Sequence, residues 1–195
     1  MPAHALLFAP PRGVLIVPKA PDEVDGARSA LPDSIVEAER IRVLTSMAED
    51  AADTDATIVL VWQEGFDPFG VWIQITPISG IRLARDFVLG EVDGWAGRLE
   101  APHIGSGIEW FSPASDDDST PRWSYVFADD DLFVNLTVTA SSSADLVVRR
   151  AIVESAVLPS LVIARDAEPW RSDESLASGV IVAKENWPQL AETSL

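Results

Sequence analysis

Two aspartate triplets are the densest groups of chemically active side chains in this sequence: Asp116–Asp118 and, thirteen residues on, Asp129–Asp131 in "FADDDLFVNLTVTA". Adjacent acids suit either a divalent cation or a turn. A calcium loop of the EF-hand kind alternates its oxygen ligands, centres on a glycine and ends on a glutamate. Neither triplet has that pattern. Aspartate side chains accept hydrogen bonds from nearby backbone amides, so both triplets are expected as exposed connections without a tightly bound ion. No metal or other cofactor is expected.

Histidine chemistry is confined to His4 and His103. No H-E-x-x-H or paired-histidine spacing is present, which argues against a conventional zinc hydrolase. His103 stands near Ser106 in "APHIGSG", but the G-x-S-x-G elbow of a serine hydrolase is missing. A loop histidine is the expected reading, with His4 at a mobile end. "GSG" at 105–107 lacks the spacing of a dinucleotide fingerprint, and no phosphate-binding G-x-x-x-x-G-K-[ST] exists. A carboxylate-pair hydrolase needs two acids held apart across a cleft. Glu64, Asp67, Glu91 and Asp93 are candidates, but nothing singles out a pair among 31 acids. The chain has no cysteine, which removes thiol chemistry, disulfides and cysteine-bound metals.

The seven tryptophans are the remaining functional signal. Trp62, Trp72, Trp95, Trp110 and Trp123 fall in expected strands, where such residues fill cores or lie beneath helices. Trp72 lies opposite the aliphatic stripe of its strand and is the candidate for a groove or interface. Trp170 and Trp187 each adjoin a proline and are candidate anchors that dock the tail onto the body or onto a partner.

The elements that must position these residues follow from periodicity. "GVLIVP" (13–18) reads as a strand, and residues 18–33 as a loop or short helical turn. Ser34 and Glu37 have capping-box spacing, and Ile41, Leu44, Met47, Ala48 and Ala51 follow helical spacing, giving a helix over 35–50. A strand over "RIRVLTS" is the competing reading. "TIVLVWQ" is a central-strand run. "GVWIQITP" alternates Val71, Ile73 and Ile75 against Trp72, Gln74 and Thr76. "DFVLGEVDGWAGRLE" reads as two strands about an Asp93-Gly94 hairpin turn. "GIEWF", "RWSYVFA" and "LFVNLTVTA" complete at least five strands between 57 and 140. A helix over 144–158 starts at the Ser142/Asp145 pair, with Val148, Ala151, Ile152 and Ser155 on one face, and stops at Pro159. These elements make an α+β domain, a mostly antiparallel sheet packed by helices, over residues 1–165. Residues 166–195 form a polar C-terminal appendage whose "GVIVA" is expected as an edge strand.

Composition bounds the partners. With 47% apolar residues, 195 residues can bury one core without staples. The net charge of −17, with twelve arginines but only Lys19 and Lys184 as lysines, opposes nucleic-acid phosphates and anionic membranes. Basic proteins, basic peptides or divalent cations fit instead. No run approaches the length of a membrane-spanning helix, and the first residues lack the pattern of a secretion signal, so a cytoplasmic location is expected.

The ending "LTVTASSSADLVVRRAIVESAVLPSL" resembles the Mog1/PsbP-like group of α+β domains. That group finishes in a strand, a Thr/Ser-rich turn and a helix running to a Ser-Leu segment: here Leu136–Ala140, Ser141–Ser143 and Ile152–Leu161. The pattern covers about residues 10–163. The resemblance implies a non-enzymatic binding or assembly domain with no catalytic motif to transfer. A cofactor-independent hydrolase using paired carboxylates and a structural homodimer subunit are the alternatives.

Overall fold

A computed structural model describes residues 4–20, 23–27, 29, 31, 36–92, 96–114 and 120–178. Seven strands form one antiparallel sheet in the order β2-β3-β4-β8-β7-β6-β5. They are β2 (Val14–Ile16), β3 (Thr57–Val61), β4 (Phe69–Pro77), β5 (Ala96–Ala101), β6 (Gly105–Ser112), β7 (Arg122–Ala128) and β8 (Leu132–Thr139). Six of them lie between residues 57 and 140, and the architecture is α+β. A smaller antiparallel sheet joins β1 (His4–Phe8), β9 (Leu161–Arg165) and β10 (Glu168–Pro169) in the order β1-β9-β10. His4 therefore lies in a paired strand, opposite Arg165, rather than at a free end.

Strand alternation gives the large sheet two apolar faces. On the first, Val71, Ile73, Trp123, Tyr125, Leu136 and Val138 are buried beneath β9 and helix α4 (Ser143–Ile152) with its continuation. On the second, helix α2 (Glu37–Ala52) covers one end, setting Leu44, Ala48 and Ala51 on Ile58, Leu60 and Trp62. Helix α3 (Ile81–Glu91) covers the other, setting Ala84 and Val88 on Ile108, Trp110 and Val126. The remaining helices are single turns, α1 (Val24–Ala27) and α5 (Ser175–Ser178).

Several sequence expectations are corrected. The stretch beginning at Asp86 is helix, not strand, because Ala84 and Val88 bury at helical spacing while Arg82 and Asp86 face water. Asp93, Gly94 and Trp95 lie outside the described residues, but what precedes them is a helix, so no hairpin joins two strands there. Helix α2 starts at Glu37, with Val36 as an N-cap that makes no side-chain bond. Glu37 is thus the first helical residue and not the third that a capping box requires; Ser34 is outside the described residues.

Helix α4 does start with a bond from the Asp145 amide to the Ser142 hydroxyl at 3.2 Å. Its buried side is Leu146, Ile152, Val153, Ala156 and Val157, whereas Val148 is 39% exposed. Of the expected stripe, Ile152 is buried while Val148, Ala151 and Ser155 face outward, and Arg150 falls on the inner side. After Ile152 the chain widens to a π-helix (Val153–Val157) and tightens to a 3-10 turn (Leu158–Ser160). Among the described residues, no helix is long and apolar enough to cross a membrane.

Candidate functional site

The Asp129–Asp131 turn is a junction. Asp129 Oδ1 accepts from the amides of Asp131 (2.9 Å) and Leu132 (2.7 Å), closing the β7–β8 connection. Its Oδ2 accepts from Trp170 Nε1 at 2.7 Å and from Arg165 at 3.2 Å, and Asp131 pairs with the same arginine at 2.9 Å. Asp130 Oδ1 accepts from the Ile81 amide at 3.1 Å, and its carbonyl from Gly80 at 2.6 Å. That supplies the start of α3, whose own N-cap is a glycine. The triplet thus fixes a hairpin, a helix start and the returning C-terminal strand. Asp116–Asp118 lie outside the described residues. Among the described residues, no group of three or more His, Asp or Glu is placed to hold a metal ion.

Trp170 is 4% exposed and belongs to the first-face core. The chain does not leave the body after Arg165: Ser172 donates to the Ile104 carbonyl and to that of Ser106, and the Asp173 amide to Ala128. Trp187 and the 179–183 segment lie outside the described residues.

A buried ionic group, not visible in the residue spacing, joins α4 to the sheet. Glu109 on β6 is 5% exposed. It takes two bonds from Arg150, at 2.9 and 3.1 Å, and one from Trp123 Nε1 at 2.9 Å. The guanidinium stacks 4.4 Å above the Trp123 ring. Such a pair holds only while both members remain, since stranding one buried charge costs about 3–5 kcal/mol. Glu154, in the π-helix, lies 2.7 Å from Arg150 Nε, yet that single N–H is given to Glu109. Burial raises the Glu154 pKa; Arg150 opposes this and the Glu109 charge adds to it. Burial, with the Glu154 and Glu109 charges, also drives the Tyr125 phenol far above its ordinary range. "GIEWF" places a glutamate among core residues, which was the one available signal; its partner lies 41 residues away.

His103 is exposed in the turn between β5 and β6. The Ser106 hydroxyl donates to Glu100 and accepts from Arg98 at 3.0 Å, so it is not directed toward a histidine. The Ser106 bond holds the Glu100 carboxyl below its ordinary range; burial opposes it, and Arg98 adds to the lowering. "GSG" is explained by packing. Gly105 has φ +89°, and a side chain on Gly107 would stand 2.6 Å from the Phe127 ring.

Of the nominated acids, Glu91 pairs with Arg122 at 3.4 Å and Asp93 lies outside the described residues. Glu64 and Asp67 share a recess with Glu39, Trp62 and Phe66 beside the β3–β4 loop. No cation lines it.

The surface feature with the most binding character is on the second sheet face, between α2 and α3. Register places Trp72 beside Ile58 and Thr137, Gln74 beside Asn135, and Thr76 beside Phe133. Trp72 is half-buried against the α2 cluster. Beyond it along β4, Gln74, Thr76 and Asn135 floor an open groove of about 280 Å³ walled by Ile78, Leu83, Phe87 and Phe133. Helix α3 has a second apolar stripe there: Leu83 and Phe87 are 53% and 41% exposed, and Phe87 meets Phe133 edge-on at 5.1 Å. Among the described residues, no ionisable side chain lines the groove. No protein-family model, no curated protein and no solved structure matches the chain.

Proposed function

We propose that this chain is a non-enzymatic protein-binding domain whose α3 groove receives an apolar side chain or short segment of a partner. One observation carries the reading: α3 buries Ala84 and Val88 on the sheet, yet keeps Leu83 and Phe87 half in water around an uncharged groove. Contiguous exposed apolar surface of this kind is characteristic of an interaction site. Trp72, two residues along the same face, extends the floor toward α2. The polar amides of Gln74 and Asn135 offer donors and acceptors to a bound backbone.

The partner is basic. The −17 charge attracts cations at long range, and the recess of Glu39, Glu64 and Asp67 concentrates carboxylates near the α2 end of the same face. The resemblance to the Mog1/PsbP-like group supports the non-enzymatic binding role. A second reading, hydrolysis by paired carboxylates, rests on Glu64 and Asp67 sharing that recess.

The test compares affinity capture by the full chain and by a Leu83→Glu/Phe87→Glu variant, both shown folded by circular dichroism. A basic protein retained by the first and lost by the second supports the groove. Identical capture by the two contradicts it. Loss of a hydrolytic activity in Glu64→Gln/Asp67→Asn would favour the second reading, and recovery of only the chain itself would favour a homodimer.

A further inference from the structure

Among the described residues the two sheets end in four edge strands, β2, β5, β10 and β1. An edge offers unpaired N–H and C=O groups to any extended chain, and soluble proteins blunt it with shortness, charge or proline. Three of the four are blunted. β2 has three residues and lies between Pro11 and Pro18. β5 carries the exposed Arg98 and Glu100. β10 has two residues, the exposed Glu168 and Pro169. β1 differs: its five residues, "HALLF", include no proline, acid, lysine or arginine, and Leu7 is 52% exposed.

The direction of its free groups follows from its neighbours. Ala9, just past β1, donates to the Ser160 carbonyl. On the opposite side of β9, Trp170 donates to the Ile163 carbonyl. Hydrogen-bonded and non-bonded pairs alternate along an antiparallel ladder. Ala5 and Leu7 therefore bond to β9 across from Ala164 and Val162, while the N–H and C=O groups of His4, Leu6 and Phe8 point away from it. Among the described residues, no backbone group outside β9 bonds to them. These outward residues match a copy of themselves. With Leu6 opposite Leu6 of a second copy, His4 falls opposite Phe8, and every such pair joins outward groups. Ala5 then falls opposite Leu7, a small side chain beside a large one. A shift of one position would set outward groups against inward ones. We propose that β1 pairs antiparallel with β1 of a second copy, two-fold about Leu6, so that two three-stranded sheets become one of six strands. Such an isologous contact closes on itself, which gives a finite dimer rather than a fibre. The −17 charge opposes the approach of two copies, but salt confines it to about 8 Å at physiological ionic strength, and β1 sets no acid against another. None of the α3 groove residues lies on β1, so the dimer and the groove stand or fall separately.

The absence of cysteine makes single-cysteine variants of the full chain unambiguous. Across a hydrogen-bonded antiparallel pair the Cα atoms stand about 5.5 Å apart, within disulfide range. Leu6→Cys should therefore form a disulfide-linked dimer under mild oxidation. Leu7 is the more exposed, yet it and its counterpart are two positions out of register, roughly 8 Å apart and beyond bridging. Leu7→Cys should link at least about tenfold more slowly. Leu6→Pro removes an outward N–H without taking a bond from β9. It should sediment as a monomer where the native chain sediments as a dimer, with its circular dichroism unchanged. Raising salt should strengthen the native dimer, the opposite of its effect on association with a basic partner. Equal linking of Leu6→Cys and Leu7→Cys, a native chain that stays monomeric at every concentration and salt, or a folded Leu6→Pro that still dimerises would each overturn the proposal. Should Leu6→Pro fail to fold, the two cysteine variants decide. Loss of partner capture in Leu83→Glu/Phe87→Glu, with no Leu6→Cys link, would leave the groove standing and remove the dimer. A Leu6→Cys link with capture unchanged in that variant would do the reverse.

Discussion

Asp129 shows why a run of acids can be structural. One carboxylate oxygen serves the hairpin and the other serves Trp170 and Arg165, so the two roles can be separated by substitution. Asp129→Asn retains an oxygen for the turn but removes an acceptor from a buried indole N–H. It should destabilise the chain by about 1–3 kcal/mol, measured by urea unfolding. Asp129→Ala should destabilise it more, and equal effects would show that the turn bonds contribute nothing. Glu154 allows a test by pH. Its folded pKa lies above the ordinary 4.5, burial being the largest cause. The folded state therefore holds this proton more tightly than the unfolded chain. The associated stability is complete below 4.5 and is lost as pH rises through the folded value. In Glu154→Gln that loss should vanish. The melting temperature of the variant should gain on the native chain as pH rises from 4 toward 7, and parallel curves would contradict the assignment.

At the scale of elements, the strands of the large sheet are legible in the sequence, whereas β1, β9, β10 and helix α3 are not. Residues such as Val71, Trp72 and Ile73 alternate so regularly that β4 could be read directly, and Ser142 marked the start of α4 through its own hydroxyl. Helix α3 carried no such mark, because its first amide is satisfied by Asp130, forty-nine residues away. Its Leu83/Phe87 stripe also obscures the period set by Ala84 and Val88. The groove was illegible for the same reason: of its walls and floor, sequence pointed only to the strand face shared with Trp72. Arg150 lies off the stripe of Val148, Ala151, Ile152 and Ser155, yet Glu109 and the Trp123 ring receive it on the buried side. Close strand packing supplies a further test. Gly107→Ala would put a methyl against the Phe127 ring and the Val126 carbonyl. A loss of about 1–3 kcal/mol is expected from overpacking, read from thermal melts, and an unchanged melt would show that Phe127 can move aside.

For the whole molecule, the proposed binding role divides between two surface properties. The −17 charge would act at long range and set the association rate. Screening confines it to about 8 Å at physiological ionic strength, so association with a basic partner should slow as salt rises while dissociation changes little. The proposed α3 groove would act at contact and set the lifetime of the complex. It is the only proposed element whose loss removes binding without altering charge attraction from a distance, and so it is the central claim. The most direct measurement is amide hydrogen exchange of the full chain, alone and saturated with its captured partner. The account predicts added protection concentrated at residues 72–78, 81–88 and 133–137. Protection confined to other surfaces, with these residues exchanging as in the free chain, would contradict it.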